Sequence, residues 1–186
     1  MRWIPLLILT YLLVVVQTTL GRLLVFSTAI GPVGPDLLAP LAVFVAFGAR
    51  SWPDAMLAAW AMGLAVDLAT AGGPAGATVV GPMAVAYALT AGVLFRVREA
   101  FFRERVLTQG LLTCAFCLLA HGLWITAQSL LAPGAVPWSL YGRAWGQVAA
   151  VGLYTAVLTP LLHYAFSKTR RWILVGSAGA VRRGRR

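Results

Sequence analysis

From Val106 to Ala132 the chain reads VLTQGLLTCAFCLLAHGLWITAQSLLA, 27 residues without an aspartate, glutamate, lysine or arginine. An α-helix rises about 1.5 Å per residue, so this run reaches about 40 Å, beyond the roughly 30 Å hydrocarbon core of a bilayer. It is long enough to cross a membrane with a tilt. Working outward, apolar runs of similar character fill most of the chain. Expected helices span residues 3–20, 37–49, 53–71 and 78–95 before it, and 144–166 after it. A basic tail, 167–186, closes the sequence. The run at 37–49 is short for a span. Gly31-Pro32-Val33-Gly34-Pro35 reads as a break ahead of it, and Asp36 as its N-cap.

Composition agrees with a membrane setting. Hydrophobic residues make up 60% of the 186 and charged residues 11%, against about a quarter charged in a soluble domain. So few polar groups cannot build a hydrated shell, so lipid is expected to supply much of the surface. The expectation is an all-α, polytopic six-helix bundle. The formal net charge of +10 is read as membrane topology and not as nucleic-acid binding, because the basic residues sit between and after the apolar runs. With the N-terminus inside, cytoplasmic segments hold 13 lysines and arginines, and outer segments hold only Arg22 and Arg143. Both termini are therefore expected in the cytoplasm. Arg2 and the 18 apolar residues 3–20 resemble a signal peptide, with Ser27-Thr28-Ala29 as a passable cleavage site. The length and the spans that follow favour retention.

Polar groups within the runs fall at one depth. Asp67 lies roughly 21 Å along its helix and His121 roughly 22 Å along its own, both in the outer half. Gln17, Asp36, Gln128, Arg143 and Gln147 belong to the same outer layer. One reading is an outward-facing polar pocket; the other is that these groups are solvated among headgroups. The second is the expectation for Asp36, Gln128 and Arg143. For Asp67, whose helix continues past it, a buried or cavity-lining role is expected, with Gly63 one turn below on the same face. Gly142-x-x-x-Gly146 has the spacing of a close helix contact. Cys114, Cys117 and His121 share one face of the 106–132 helix and have metal-ligand chemistry. No second Cys/His cluster completes a set, and buried cysteines more often act as small hydrophobes, so neither a metal nor a cofactor is expected. No catalytic motif stands out either.

The middle of the chain carries a resemblance. Gly34-Pro35-Asp36-Leu37-Leu38 opens one helix. The next reads Gly63-Leu64-Ala65-Val66-Asp67-Leu68, followed by Gly72-Gly73-Pro74-Ala75-Gly76, and Gly92 comes late in the helix after that. This resembles the rod shape-determining protein MreD of bacteria, a family with a P-D pair and a G-L-x-x-D…G-x-P-x-G pattern. The motifs cover about residues 34–98, and the basic tail lies outside the likeness. The resemblance implies a non-enzymatic scaffold of the cell-wall elongation machinery in the bacterial cytoplasmic membrane, needed for rod shape and regulating peptidoglycan synthesis. It implies MreC, a single-span protein, as partner. RodA and a class B penicillin-binding protein would join the complex, with the actin-like MreB on the cytoplasmic side. Its family-motif and packing residues here would be Pro35, Asp36, Gly63, Asp67, Gly73, Pro74, Gly76 and Gly92, with Gln17 and Arg143 in the outer pocket. The family fold is similar to substrate-binding subunits of energy-coupling-factor transporters. That similarity supplies a second expectation, a membrane subunit that binds a small, vitamin-type molecule.

Overall fold

The computed structural model describes residues 2–70, 79–98, 106–132 and 137–173. Its six α-helices are α1 (Trp3–Thr19), α2 (Leu38–Gly48), α3 (Trp52–Thr70), α4 (Pro82–Val97), α5 (Val106–Leu131) and α6 (Tyr141–Ile173). They fall on the six apolar runs. Two segments, Thr108–Leu131 and Trp138–Thr169, are long and apolar enough to cross a membrane. α6 runs past the expected end at Phe166, and Pro160 is accommodated inside it. Residues 174–186, most of the basic tail, lie outside the described residues.

α2 is the centre of the bundle. Its 11 residues span only about 16 Å, roughly half a hydrocarbon core. Every residue from Leu38 to Ala46 is buried, and the helix packs against α1, α3, α4, α5 and α6. A helix that is apolar all round must be covered all round, so the run of smallest length becomes the core. Leu41, Ala46, Met62, Tyr87, Phe116 and Ala120 meet around it. At its C-terminal end the Arg98 guanidinium donates to the Ala49 carbonyl at 2.8 Å, satisfying one of the orphan acceptors a helix end leaves.

α3 and α4 form the most intimate pair, and glycine sets their distance. A Cβ built on Gly63 would stand 2.5 Å from the Met83 carbonyl oxygen and 2.7 Å from the Ala84 Cα. At the other end of the pair, a Cβ on Gly92 would stand 2.9 Å from Trp52 Nε1 and 3.2 Å from Met56. Backbone meets backbone at Gly63, so nothing there can swing aside. The expected close contact at Gly142-x-x-x-Gly146 is absent: Gly142 has nothing within 4 Å and Gly146 meets only Ile30, at 3.9 Å. Spacing alone does not say which face of a helix carries a neighbour.

The segment between α1 and α2, read as a break, contains a two-stranded antiparallel ribbon. β1 (Phe26–Thr28) pairs with β2 (Gly31–Val33) in the register Phe26↔Val33, Ser27↔Pro32, Thr28↔Gly31. Gly31 has φ +129, a conformation that favours glycine. Arg143 and Gln147 of α6 hold the ribbon. Arg143 Nε and Nη2 donate to the Ile30 and Ala29 carbonyls at 3.1 and 3.0 Å, and Gln147 Nε2 donates to the Pro32 carbonyl at 2.6 Å.

Gly63→Ala should therefore force α3 and α4 apart and cost about 1–3 kcal/mol, the range for overpacking a tight contact. Gly142→Ala should be neutral or slightly stabilising, since Ala is the better helix former. Thermal unfolding of the detergent-solubilised protein, followed by circular dichroism, compares the two; equal midpoints would contradict the packing described.

Candidate functional site

α2 starts inside protein, so its N-terminal N–H groups have no water to donate to. Four side-chain contacts account for them. The Asp36 N–H donates to Thr155 Oγ1 at 2.9 Å, and the Leu37 N–H to Gln17 Oε1 at 3.0 Å. The Leu38 and Ala39 N–H groups donate to Asp36 Oδ1 at 3.0 and 3.2 Å. This is N-cap chemistry, as the sequence reading expected of Asp36. The surroundings differ from that reading. Asp36 is 3% exposed, not solvated among headgroups, because Pro35 and Asp36 are drawn in with the helix they open. Its second oxygen, Oδ2, accepts from the Tyr87 hydroxyl and lies 2.9 Å from His121 Nε2. Thus one carboxylate joins the α2 entry to α4 and α5, while Thr155 brings in α6 and Gln17 brings in α1.

Asp67 does for α4 what Asp36 does for α2, from a different helix. Its Oδ2 accepts from the N–H groups of Gly81, Met83 and Ala84 at 2.8, 3.1 and 3.2 Å. Pro82, between them, has no N–H to satisfy. Gly81 takes φ +119, which turns its amide toward the carboxylate. Gly63, one turn below Asp67, lets α3 approach closely enough for this bond set. Beside it, Gln128 of α5 pairs with Val79 in both directions: the Val79 N–H donates to Oε1 at 3.1 Å and Nε2 donates to the Val79 carbonyl at 2.8 Å. Gln128 is 0% exposed, a second correction to the solvated reading. Its side-chain amide is turned inward to pair with both backbone groups of Val79. Arg143 is exposed, but it grips the ribbon turn instead of standing free.

All seven residues placed in one layer from the sequence find polar partners, but Asp36 meets Thr155, 12 residues along α6 from the Arg143 that grips the ribbon turn, so they do not share one height. Gly73, Pro74 and Gly76 lie outside the described residues. Tyr87 and Thr155 were missed. Each sits in an apolar run, and the signal was that a hydroxyl there needs a partner. Cys114 lies apart from the Asp36 cluster, whereas Cys117 and His121 belong to it: the ligand-type atoms of Asp36, Cys117 and His121 all lie within 4.8 Å of one another.

His121 also lines a half-open cleft of about 500 Å³ between α5, α6 and the ribbon tip. Trp124, Ile125, Leu140, Val148 and Val151 make its apolar wall, and Arg143 and Gln147 its polar rim. Comparison with protein-family models, curated proteins and solved structures gave no match.

Asp67→Leu should strand the three α4 amides and lower stability by about 1–3 kcal/mol or more, the cost of buried unsatisfied donors. Asp67→Asn, which keeps one acceptor oxygen, should lose less. Hydrogen exchange at Gly81, Met83 and Ala84 reports this directly, and unchanged protection in Asp67→Leu would show that the carboxylate does not hold the helix.

Proposed function

We propose that this chain is a non-enzymatic scaffold of the MreD type in the bacterial cytoplasmic membrane, crossing it six times with both termini in the cytoplasm. In this role it binds the single-span protein MreC and, through it, the RodA and class B penicillin-binding protein pair that extends peptidoglycan, with MreB on the cytoplasmic side. The observation that carries the reading is the use made of the motif residues. Asp36, Gly63, Asp67 and Gly92, four of the described motif positions, are spent on the backbone: two cap buried helices and two bring α3 and α4 together. A motif used in this way specifies a frame, which is what a scaffold requires of it. The exposed apolar faces of α1 and α6, with Leu7, Tyr11, Leu153 and Val157 outward, suit lipid and partner helices. α2 is too short to cross as a straight helix, so in the six-span arrangement proposed the extended residues leading into it complete the second crossing.

The cleft beside His121 favours a second reading, a membrane subunit that binds a small molecule. The two readings differ in company. A scaffold co-purifies from native membranes with a bitopic protein; a transporter subunit co-purifies with a coupling membrane subunit and two ATPases. The first result is expected, and the second would replace the scaffold reading. Independently, reporter fusions after Arg105 and at the C-terminus should read cytoplasmic, and one near Gly134 external. An external C-terminus would overturn the six-span arrangement.

A further inference from the structure

The buried carboxylate of Asp36 has one basic side chain against it, His121, at 2.9 Å. Among the described residues its side-chain partners are Tyr87, His121 and two backbone N–H groups, none of them a lysine or arginine. A buried negative charge in that position is costly unless neutralised. Next to it stand a thiol and an imidazole. Cys117 and His121 are four residues apart on α5, hence on one face, and their ligand atoms lie within 4.8 Å of each other and of the Asp36 carboxylate. We propose that Asp36, Cys117 and His121 form a binding site for a zinc-class divalent cation, entered from the cleft.

The chemistry fits that class. Thiolate, imidazole and carboxylate together suit zinc, whereas magnesium or calcium sites are built from oxygen ligands. Tetrahedral zinc, with bonds of about 2.0–2.3 Å, holds its ligand atoms roughly 3.3–3.6 Å apart. The cluster therefore needs to draw in by about 1 Å at its widest, and the His121–Asp36 contact to open slightly. The carboxylate is already oriented for the task, because Oδ1 is fixed by the Leu38 and Ala39 N–H groups and the Tyr87 hydroxyl braces the other oxygen. Such outer partners hold ligands in place at metal sites. The backbone of α6 closes the far side: a Cβ on Gly152 would stand 3.4 Å from the Cys117 Cβ. Of the three ligands, His121 lines the cleft. The fourth coordination position therefore faces that side, where water or a ligand of the cleft completes it.

Binding balances simply. The Cys117 thiol gives up one proton to solvent, His121 ligates through the Nε2 lone pair, and the 2+ ion joins two anionic ligands, Cys117 and Asp36, to leave a neutral site.

The test uses the full chain in detergent, titrated with Co²⁺ as a spectroscopic probe and then with Zn²⁺. One equivalent of Co²⁺ should give tetrahedral visible absorption and a thiolate-to-metal charge-transfer band, both displaced by Zn²⁺. Cys117→Ser should abolish the charge-transfer band, and His121→Ala should weaken binding by about tenfold or more. Cys114→Ser should leave both signals intact. The Co²⁺ spectrum of the unaltered protein is a readout that does not depend on how the variants fold. Absence of a stoichiometric Co²⁺ spectrum in the unaltered protein, or a charge-transfer band that survives Cys117→Ser, would each overturn the proposal.

Discussion

The structure depends on how the amino end of a helix is satisfied where water does not reach. α2 is covered on every side, so its first N–H groups must find partners in the protein or remain unbonded. Leaving one buried donor unpaired costs about 1–3 kcal/mol, and α2 presents several. The solution gathers the chain: Gln17 from α1, Asp36 at the helix entry and Thr155 from α6 each take an amide. Tyr87 and His121 then fix the carboxylate from α4 and α5. Four of the five helices around α2 are thus tied together by one set of hydrogen bonds at its entry.

Asp67 repeats the device with a difference that explains the α3–α4 pair. Here the capping carboxylate comes from the neighbouring helix, so the bond forms only if the two backbones approach closely. Gly63 permits that approach and Asp67, four residues on, uses it. A side chain at the first position would separate the second from its amides, so the two residues are one element of structure. The same face of α3 carries Ala55, Ala59 and Met62 into the core, and small residues on α4, Ala84, Ala88 and Ala91, answer them.

Much of this was legible in the sequence, for reasons that also mark where legibility ended. Run length and apolarity located all six helices, and the i, i+4 spacing of Gly63 and Asp67 put them on one face. Rise per residue put Gln17, Asp36, Asp67, His121, Gln128, Arg143 and Gln147 at one height, yet the chain entering α2 runs down α6 from Arg143 to Thr155, which sets Asp36 deeper than Arg143. Height, however, is only one coordinate. Whether a group at that height faces inward depends on which helices pack where, and that is why Asp36 and Gln128 were expected in contact with water and are buried. The same lack of a radial coordinate made Gly142 and Gly146 look like packing glycines. The β1–β2 ribbon escaped for another reason: strands of three residues carry no period to read, and Gly31 and Pro32 pointed to a break. Tyr87 and Thr155 were hidden in apolar runs, where their hydroxyls carry no positional signal.

In the bilayer proposed for this chain, burial alone cannot select the fold. Lipid tails are as apolar as leucine, so moving Leu38 or Val45 from lipid to protein gains little, and packing and hydrogen bonds must decide between arrangements. That shifts the specifying role to a small number of groups. The outward residues of α6, among them Leu153, Val157 and Leu161, are as apolar as the inward ones, and only the inward face meets Cys117 and Asp36. A frame ordered by caps and glycine contacts leaves its apolar exterior free of structural duty. Such an exterior can meet lipid on one side and a partner helix on another without altering the core. The polar cluster at Asp36 then meets the outside through His121 and the cleft.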